Sequence, residues 1–288
     1  MNTTLTPIQP AEKMDDSIGN LLLQAGKIRI SDVQQILNLQ NKEALRFGEA
    51  AIKLGLVNEE DISRMLASQF DYTYLVPGEG GFSTELVCAY RPYTQPAEKI
   101  RMLRNQLMSR WFNNGKKTLA ILGATQGVGT SYVAANLAVT YAQLGQRTLL
   151  IDTNLHTPRL HQIFNLDNRI GLGSILAGRA DLTCIVQING LSGLSVLPSG
   201  ALPPNPTEII GRGLNHTFIN QLSQHYDVIL FDTPSFNDHA ESANLAIISS
   251  GGILVARQDH TKFHDLEQIR DTLNGTSAQL IGTVLNQV

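Results

Sequence analysis

Ser131, Asp152 and Asp232 are the side chains with which this chain is equipped to do chemistry. One hydroxyl and two carboxylates are hard oxygen donors. Magnesium takes such donors while keeping several of its waters, and the set suits a magnesium-bound nucleotide phosphate. Each residue follows an apolar run: Leu119–Leu122 before the loop that holds Ser131, Thr148–Ile151 before Asp152, and Val228–Phe231 before Asp232. A lone Asp after such a run reads as a cap or turn residue. Three convergent strand ends read as a site, because ligands of open α/β sheets sit at the carboxyl ends of the strands.

The loop between Leu122 and Ser131 reads Gly-Ala-Thr-Gln-Gly-Val-Gly-Thr. Strand, glycine-rich turn and helix form the context in which backbone N–H groups cradle phosphate. Gln126, Gly127, Val128, Gly129, Thr130 and Ser131 are the candidate cradle. The phosphate-loop pattern G-x-x-x-x-G-K-[ST] places Lys directly before the final hydroxyl residue. Thr130 stands there, and Ala124 stands at the first glycine. A Thr hydroxyl cannot replace the positive charge that Lys brings to the β/γ-phosphates. The expectation is a loop shaped for nucleotide with weakened charge neutralisation. Arg159 is the best substitute cation, while Lys116 and Lys117 precede the strand and fall at its far end.

The positioning elements alternate. Strand patterns at 119–122, 148–151, 226–234, 252–256 and 280–285 are separated by helical patterns, including Glu241–Ser249 and His264–Leu273. That alternation predicts an α/β fold, a parallel sheet covered on both faces. Ile100, Leu103, Leu107 and Trp111 predict a helix over 98–112. Glu98, Arg101 and Arg104 share one of its faces, which on the residues alone reads as a solvated charged surface.

The 288 residues allow one large or two modest domains, and a net charge of −3 gives no reason to expect a nucleic-acid partner. The two cysteines, Cys88 and Cys184, lack metal-ligand spacing and read as reduced thiols of a cytoplasmic protein. The polar, acidic first residues carry no signal peptide, and no apolar run reaches the ~18 residues of a membrane span. Membrane association is expected only through a partner.

The N-terminal part repeats itself. Ser17–Gly26 leads into Asp32–Gln40, and Arg46–Gly55 leads into Asp61–Gln69, with Gly19 matching Gly48, Gly26 matching Gly55 and Gln40 matching Gln69. Each unit reads as helix, glycine stop, helix. Ser31 and Asn58 are the expected caps, and Val33, Ile36 and Leu37 the apolar stripe. The boundaries are a small helical domain over 17–75, a Pro- and Gly-rich linker over 76–97 and a nucleotide-type domain over 98–288.

Those repeats resemble the tandem motif of MshEN domains. The resemblance implies a cyclic di-GMP site drawing on Ile18, Gly19, Gln40, Arg46, Phe47, Gly48 and Gln69. Ser17 stands where the first motif Arg belongs, and Lys27 occupies an apolar position.

The larger domain resembles the bacterial tyrosine kinases of polysaccharide export, EpsG type, within the MinD/ParA group of P-loop ATPases. The likeness rests on Gly127–Ser131, on Asp152-Thr-Asn-Leu-His156, on Asp232-Thr-Pro-Ser235, on Glu98, Arg101 and Arg104, and on Gly171–Gly178 and Leu197–Pro206. It implies ATP or ADP with Mg²⁺ as cofactors. Asp152, Asn154 and Asp232 become catalytic, and Ser131, Asp152 and Asp232 become metal ligands. Glu98, Arg101 and Arg104 become a homo-oligomer interface, and a membrane-embedded polysaccharide co-polymerase becomes the partner. The family's Walker A Lys, second acidic residue and Arg are replaced by Thr130, Asn154 and His156, and the last tyrosine is Tyr226, so no tyrosine-rich acceptor tail is expected. Two functions follow: a degenerate, nucleotide-binding regulator, or an active ATP-dependent tyrosine autokinase with a substitute cation.

Overall fold

The computed structural model describes residues 18–59, 61–62, 65, 74–75 and 78–287. The chain divides into two compact units, 1–72 and 73–288.

In the first unit, α1 (Ile18–Gln24), α2 (Ile30–Glu43) and α3 (Phe47–Lys53) pack around Leu22, Ile28, Ile36, Ala50, Ala51 and Val57. The duplication is visible in the backbone. Gly26 and Gly55 take φ of +66° and +68°. Each is followed by a residue whose N–H reaches back to the helix, Lys27 to Leu22 O and Leu56 to Ala51 O. This is the left-handed helix stop for which glycine is favoured. Asn58 caps as expected: its Oδ1 accepts from Asp61 N at 2.8 Å, while Asp61 Oδ2 accepts from Asn58 N. Ser31 does not cap. It lies inside α2, and the residue matching Asn58 is Arg29, whose N–H donates to Asp32 Oδ2. Leu37 leaves the expected stripe and is exposed, because Ile36 takes the buried position. Lys27, at its apolar motif position, forms an ion pair with Asp61 at 2.8 Å.

The second unit is a seven-stranded sheet in the order β3-β4-β2-β5-β1-β6-β7. The strands are β1 (Thr118–Gly123), β2 (Thr148–Asp152), β3 (Val186–Gln187), β4 (Leu194–Leu197), β5 (Val228–Ser235), β6 (Gly251–Arg257) and β7 (Gln279–Asn286). Only β3 runs antiparallel to its neighbour. β3 and β4 are two and four residues long, too short to carry a readable pattern, and the sequence reading missed them.

Side chains alternate between the two faces, as pleating requires. Leu119, Ile121, Leu150 and Leu230 pack beneath α4 (Val87–Tyr90), α5 (Gln95–Arg110), α6 (Thr130–Gln143) and α7 (Leu160–Ile163). Their neighbours Ala120, Leu122, Leu149, Ile151, Ile229 and Phe231 face the other side. There they meet α8 (Leu172–Leu176), α9 (Pro206–Gly213), α10 (His216–Ser223), α11 (Glu241–Ile248) and α12 (Phe263–Asn274).

Residues 78–97 are not a free linker. Leu86, Cys88, Ala89 and Tyr90 are buried in the core of the second unit, together with Leu75. Asn136, fully buried on α6, holds the segment in place. Its Nδ2 donates to Glu85 O at 2.9 Å and its Oδ1 accepts from Cys88 N at 3.0 Å. Gln143 Nε2 adds a bond to Cys88 O. Among the described residues of that stretch, Gly80 and Gly81 lie in a short 3₁₀ turn and Pro96 sits in the first turn of α5, all within a packed strap. Both cysteines are free thiols.

Candidate functional site

The parallel register of β2 and β5 sets Asp152 directly beside Asp232. The next residue seals that pairing: Thr153 donates from both its N–H and its hydroxyl to Asp232 O, at 3.0 and 2.6 Å. Asp152 is fully buried. Its Oδ2 accepts from Arg159 N and Leu160 N, both at 3.0 Å, and its Oδ1 accepts from Asn154 N at 3.2 Å. Burial raises its pKa to about 7 against the pull of those three bonds. Asp232 is 1 % exposed, and neither of its carboxylate oxygens has a hydrogen-bond partner. Its pKa lies well above the ordinary range, first through burial and then through the Asp152 charge, with Ser131 and Arg159 pulling the other way.

A buried carboxylate with two unbonded oxygens is costly unless something meets it. Ser131 at the start of α6 and the two aspartates supply hard oxygen donors around one point. That donor set fits a magnesium ion of the kind that accompanies a nucleotide phosphate. Bound there, the ion would supply positive charge to the phosphate oxygens, and Ser131, Asp152 and Asp232 are the residues that would hold it, directly or through water.

Over these residues lies a cleft of about 380 Å³, lined by Thr125, Gln126, Gly127, Gly129, Thr130, Ser131, Asn154, Thr157, Arg159, Thr233, Ser235, Asp238 and His239. Gly127 and Gly129 adopt φ of +82° and +99°, a region that side chains rarely enter. The turn delivers the N-terminus of α6, where the first N–H groups have no partner within the helix, to the cleft floor. Val128 turns its side chain into the core, which leaves its main chain for the cradle. Two donors the sequence reading did not single out pin the turn from beneath. Asn286 Nδ2 donates to Val128 O at 3.0 Å, and Arg257 Nη1 donates to Gly127 O at 3.3 Å. Both lie at the ends of neighbouring strands, which only the β6–β7 register could have revealed.

Thr130 lines the cleft, and its hydroxyl sits over Gly123, where a Cβ would come within 2.5 Å of it. Asn154 closes a local turn, accepting from Thr157 N at 3.0 Å and donating to Thr157 Oγ1 at 3.1 Å. Arg159 reaches the cleft and pairs with Glu85 at 2.5 Å. Lys117 does lie at the far end of β1, donating to Ser223 O and Tyr226 O, and Lys116 stacks over Trp111 there.

The charged helix face is divided. Glu98 is exposed and accepts from Arg101 Nε at 3.4 Å, whereas Arg101 Nη1 binds Pro92 O. Arg104 is buried and its Nη1 donates to Thr140 O at 3.0 Å. Arg104 therefore joins α5 to α6 within the chain, not a surface outside it. Of the residues named for cyclic di-GMP, Phe47 packs on Gly19, Arg46 is exposed at the head of α3, and Ile62 packs on Gly48. Ile18 and Gln40 are half-buried, and Gln69 lies outside the described residues.

The chain is 30 % identical over 201 residues to the tyrosine-protein kinase YwqD of Bacillus subtilis, covering 70 % of this chain and 85 % of that one. The chain belongs to the bacterial tyrosine kinase family. Residues 116–281 also match the family model described as cellulose biosynthesis protein BcsQ. Among solved structures, the kinase domain of the Escherichia coli tyrosine kinase Etk superposes with a TM-score of 0.68 at 27 % identity, covering 70 % of this chain and 80 % of that one. The septum site-determining protein MinD of Pyrococcus horikoshii, solved with Mg-ADP, superposes with a TM-score of 0.50 at 26 % identity, over 59 % and 70 % of the two chains. This member of the bacterial tyrosine kinases therefore has the MinD-like P-loop fold, and its Ser131–Asp152–Asp232 cluster lies where the turn, helix and strand ends of that fold meet. Among the described residues no helix is long and apolar enough to cross a membrane.

Proposed function

We propose that this protein is a cytoplasmic nucleotide-binding component of exopolysaccharide chain-length control and export, with weakened ATP chemistry. One observation carries the reading: Asp232, buried with both oxygens unbonded, lies beside Asp152 and Ser131 beneath a phosphate-type turn. The family model named for cellulose biosynthesis supports the link to polysaccharide. In this reading Ser131, Asp152 and Asp232 hold Mg²⁺, and the backbone of residues 126–131 receives the phosphates of ADP or ATP. Thr130 leaves the β/γ-phosphates without their main cation. The protein then acts by binding nucleotide, assembling with copies of itself through Glu98 and Arg101, and adjusting a membrane-embedded co-polymerase.

The alternative, an active tyrosine autokinase, is favoured by one feature: Arg159 reaches the cleft and its charge acts on Asp232. Labelled ATP with Mg²⁺, added to the purified protein with and without the co-polymerase, separates the two. ADP binding without phosphotyrosine is the expected result. Label on either polypeptide establishes the kinase, and loss of that label in Arg159→Gln names the cation.

The N-terminal repeat is proposed as a cyclic di-GMP sensor, supported by its paired glycine stops and by Arg46 standing exposed at a helix head. Calorimetric titration of the full chain tests it. Heat that saturates with ligand is expected, and a flat trace at high micromolar ligand removes the sensor role.

A further inference from the structure

Glu241 opens α11 and is 1 % exposed, yet among the described residues no Lys or Arg pairs with it. Its Oε1 lies 2.7 Å from His156 Nε2, and its Oε2 accepts from Thr207 Oγ1 at 3.1 Å. The His239 ring stacks on the His156 ring, with centroids 4.0 Å apart and planes 18° from parallel. One ligand-capable atom from each of His156, His239 and Glu241 falls within 4.8 Å of the others. These residues come from three places: the turn after β2, the turn after β5 and the head of α11.

Two imidazoles and a carboxylate form a mixed nitrogen and oxygen set. Magnesium and calcium favour all-oxygen shells, whereas zinc takes two His and one Glu and leaves a fourth position for water. The Thr207 hydroxyl holds the second carboxylate oxygen, the kind of outer contact that orients a metal ligand. A buried carboxylate without a full cationic partner is the electrostatic vacancy such an ion fills. Near-parallel stacked rings do not aim their nitrogens at one centre, so binding one ion through both requires one imidazole to turn out of the stack.

We propose that His156, His239 and Glu241 form a zinc-class transition-metal site, separate from the Ser131–Asp152–Asp232 cluster. The ion ties the turns that follow β2 and β5. These turns carry Asn154, Thr157, Asp238 and His239 into the cleft wall, so the metal fixes the outline of that wall. The site stands whether or not the cleft takes nucleotide.

The test uses the tag-free full chain, stripped with chelator and free of nucleotide. Zn²⁺ is titrated against a chromophoric chelator in millimolar Mg²⁺, and Co²⁺ is added in parallel to read its ligand-field spectrum. The expected result is one zinc ion per chain that Mg²⁺ does not displace, and a cobalt spectrum of a four- or five-coordinate site with nitrogen ligands. His156→Ala and His239→Ala each weaken zinc binding about ten-fold or more. The exposed control His264→Ala binds as the parent does. Zinc raises the melting temperature of the parent and not that of His239→Ala. Zinc lost to Mg²⁺, a cobalt spectrum of the free hexa-aquo ion, or unchanged affinity in both histidine variants overturns the site.

Discussion

Asp152 and Asp232 stand side by side in a setting that favours their neutral forms, and this governs how the ligand-free protein responds to pH. In the unfolded chain each titrates near 4. In the fold, burial moves Asp152 to about 7 and moves Asp232 well upward. Between those values the native state binds more protons than the unfolded one, so stability is greatest at the acid end and falls as pH rises to 7. Asp232→Asn removes one of the two charges. Its melting curve in nucleotide-free buffer should show roughly 1–3 kcal/mol of added stability at pH 8 and a flatter pH profile, and added Mg-ADP should raise the melting temperature of the parent but not of this variant. Thr130→Lys returns a cation to the turn. A charged hydrogen bond contributes about 1.5–3 kcal/mol, so affinity for a fluorescent ADP analogue should rise roughly ten-fold or more. Unchanged affinity would show that position 130 does not face the phosphates. The chemistry of Ser131, Asp152 and Asp232 was legible because each follows an apolar run. His239 and Glu241 were not, since their meeting with His156 depends on two turns whose geometry no periodicity records.

The glycine turn and the helix it opens are held from several sides. Arg257 and Asn286 grip the carbonyls of Gly127 and Val128, while Asn136 and Gln143 bind the strap that includes α4. Asn136→Ala leaves Cys88 N and Glu85 O without their partner inside the protein. An unsatisfied buried group costs about 1–3 kcal/mol. Denaturant unfolding should therefore show a loss near the top of that range or above it, with the transition still cooperative. A loss within experimental error would mean that water reaches those groups. Long apolar strands and the α6 helix could be read from sequence, since burial on both faces writes continuous hydrophobic runs. The short β3–β4 pair could not, having too few residues to carry a pattern. The polar staples were hidden for another reason. A buried Asn on a helix looks like a surface residue until the segment it binds is in view.

At the scale of the whole molecule, the strap changes where the second unit begins. Prolines and glycines at 77–96 suggested a tether, but Leu75, Leu86, Cys88 and Tyr90 complete the core over α6. A fragment starting at residue 73 should therefore melt as a single cooperative unit with the stability of that unit in the full chain. One starting at residue 98 should be aggregated or only partly folded by circular dichroism. Equal melting of both fragments would restore the tether. The α/β class and the sheet side that carries the site were available from the order of strands and helices, because connectivity limits such folds strongly. The packing of the strap was not, since turn-forming residues serve packed and unpacked segments alike. The paired aspartates carry a cost beyond the test tube. Any partner that binds only the native chain lowers the share of molecules open to proteolysis. Under the proposed role, magnesium-nucleotide is such a partner, so the lifetime of this protein in the cell should follow its supply, and starved cells should degrade it faster than growing ones.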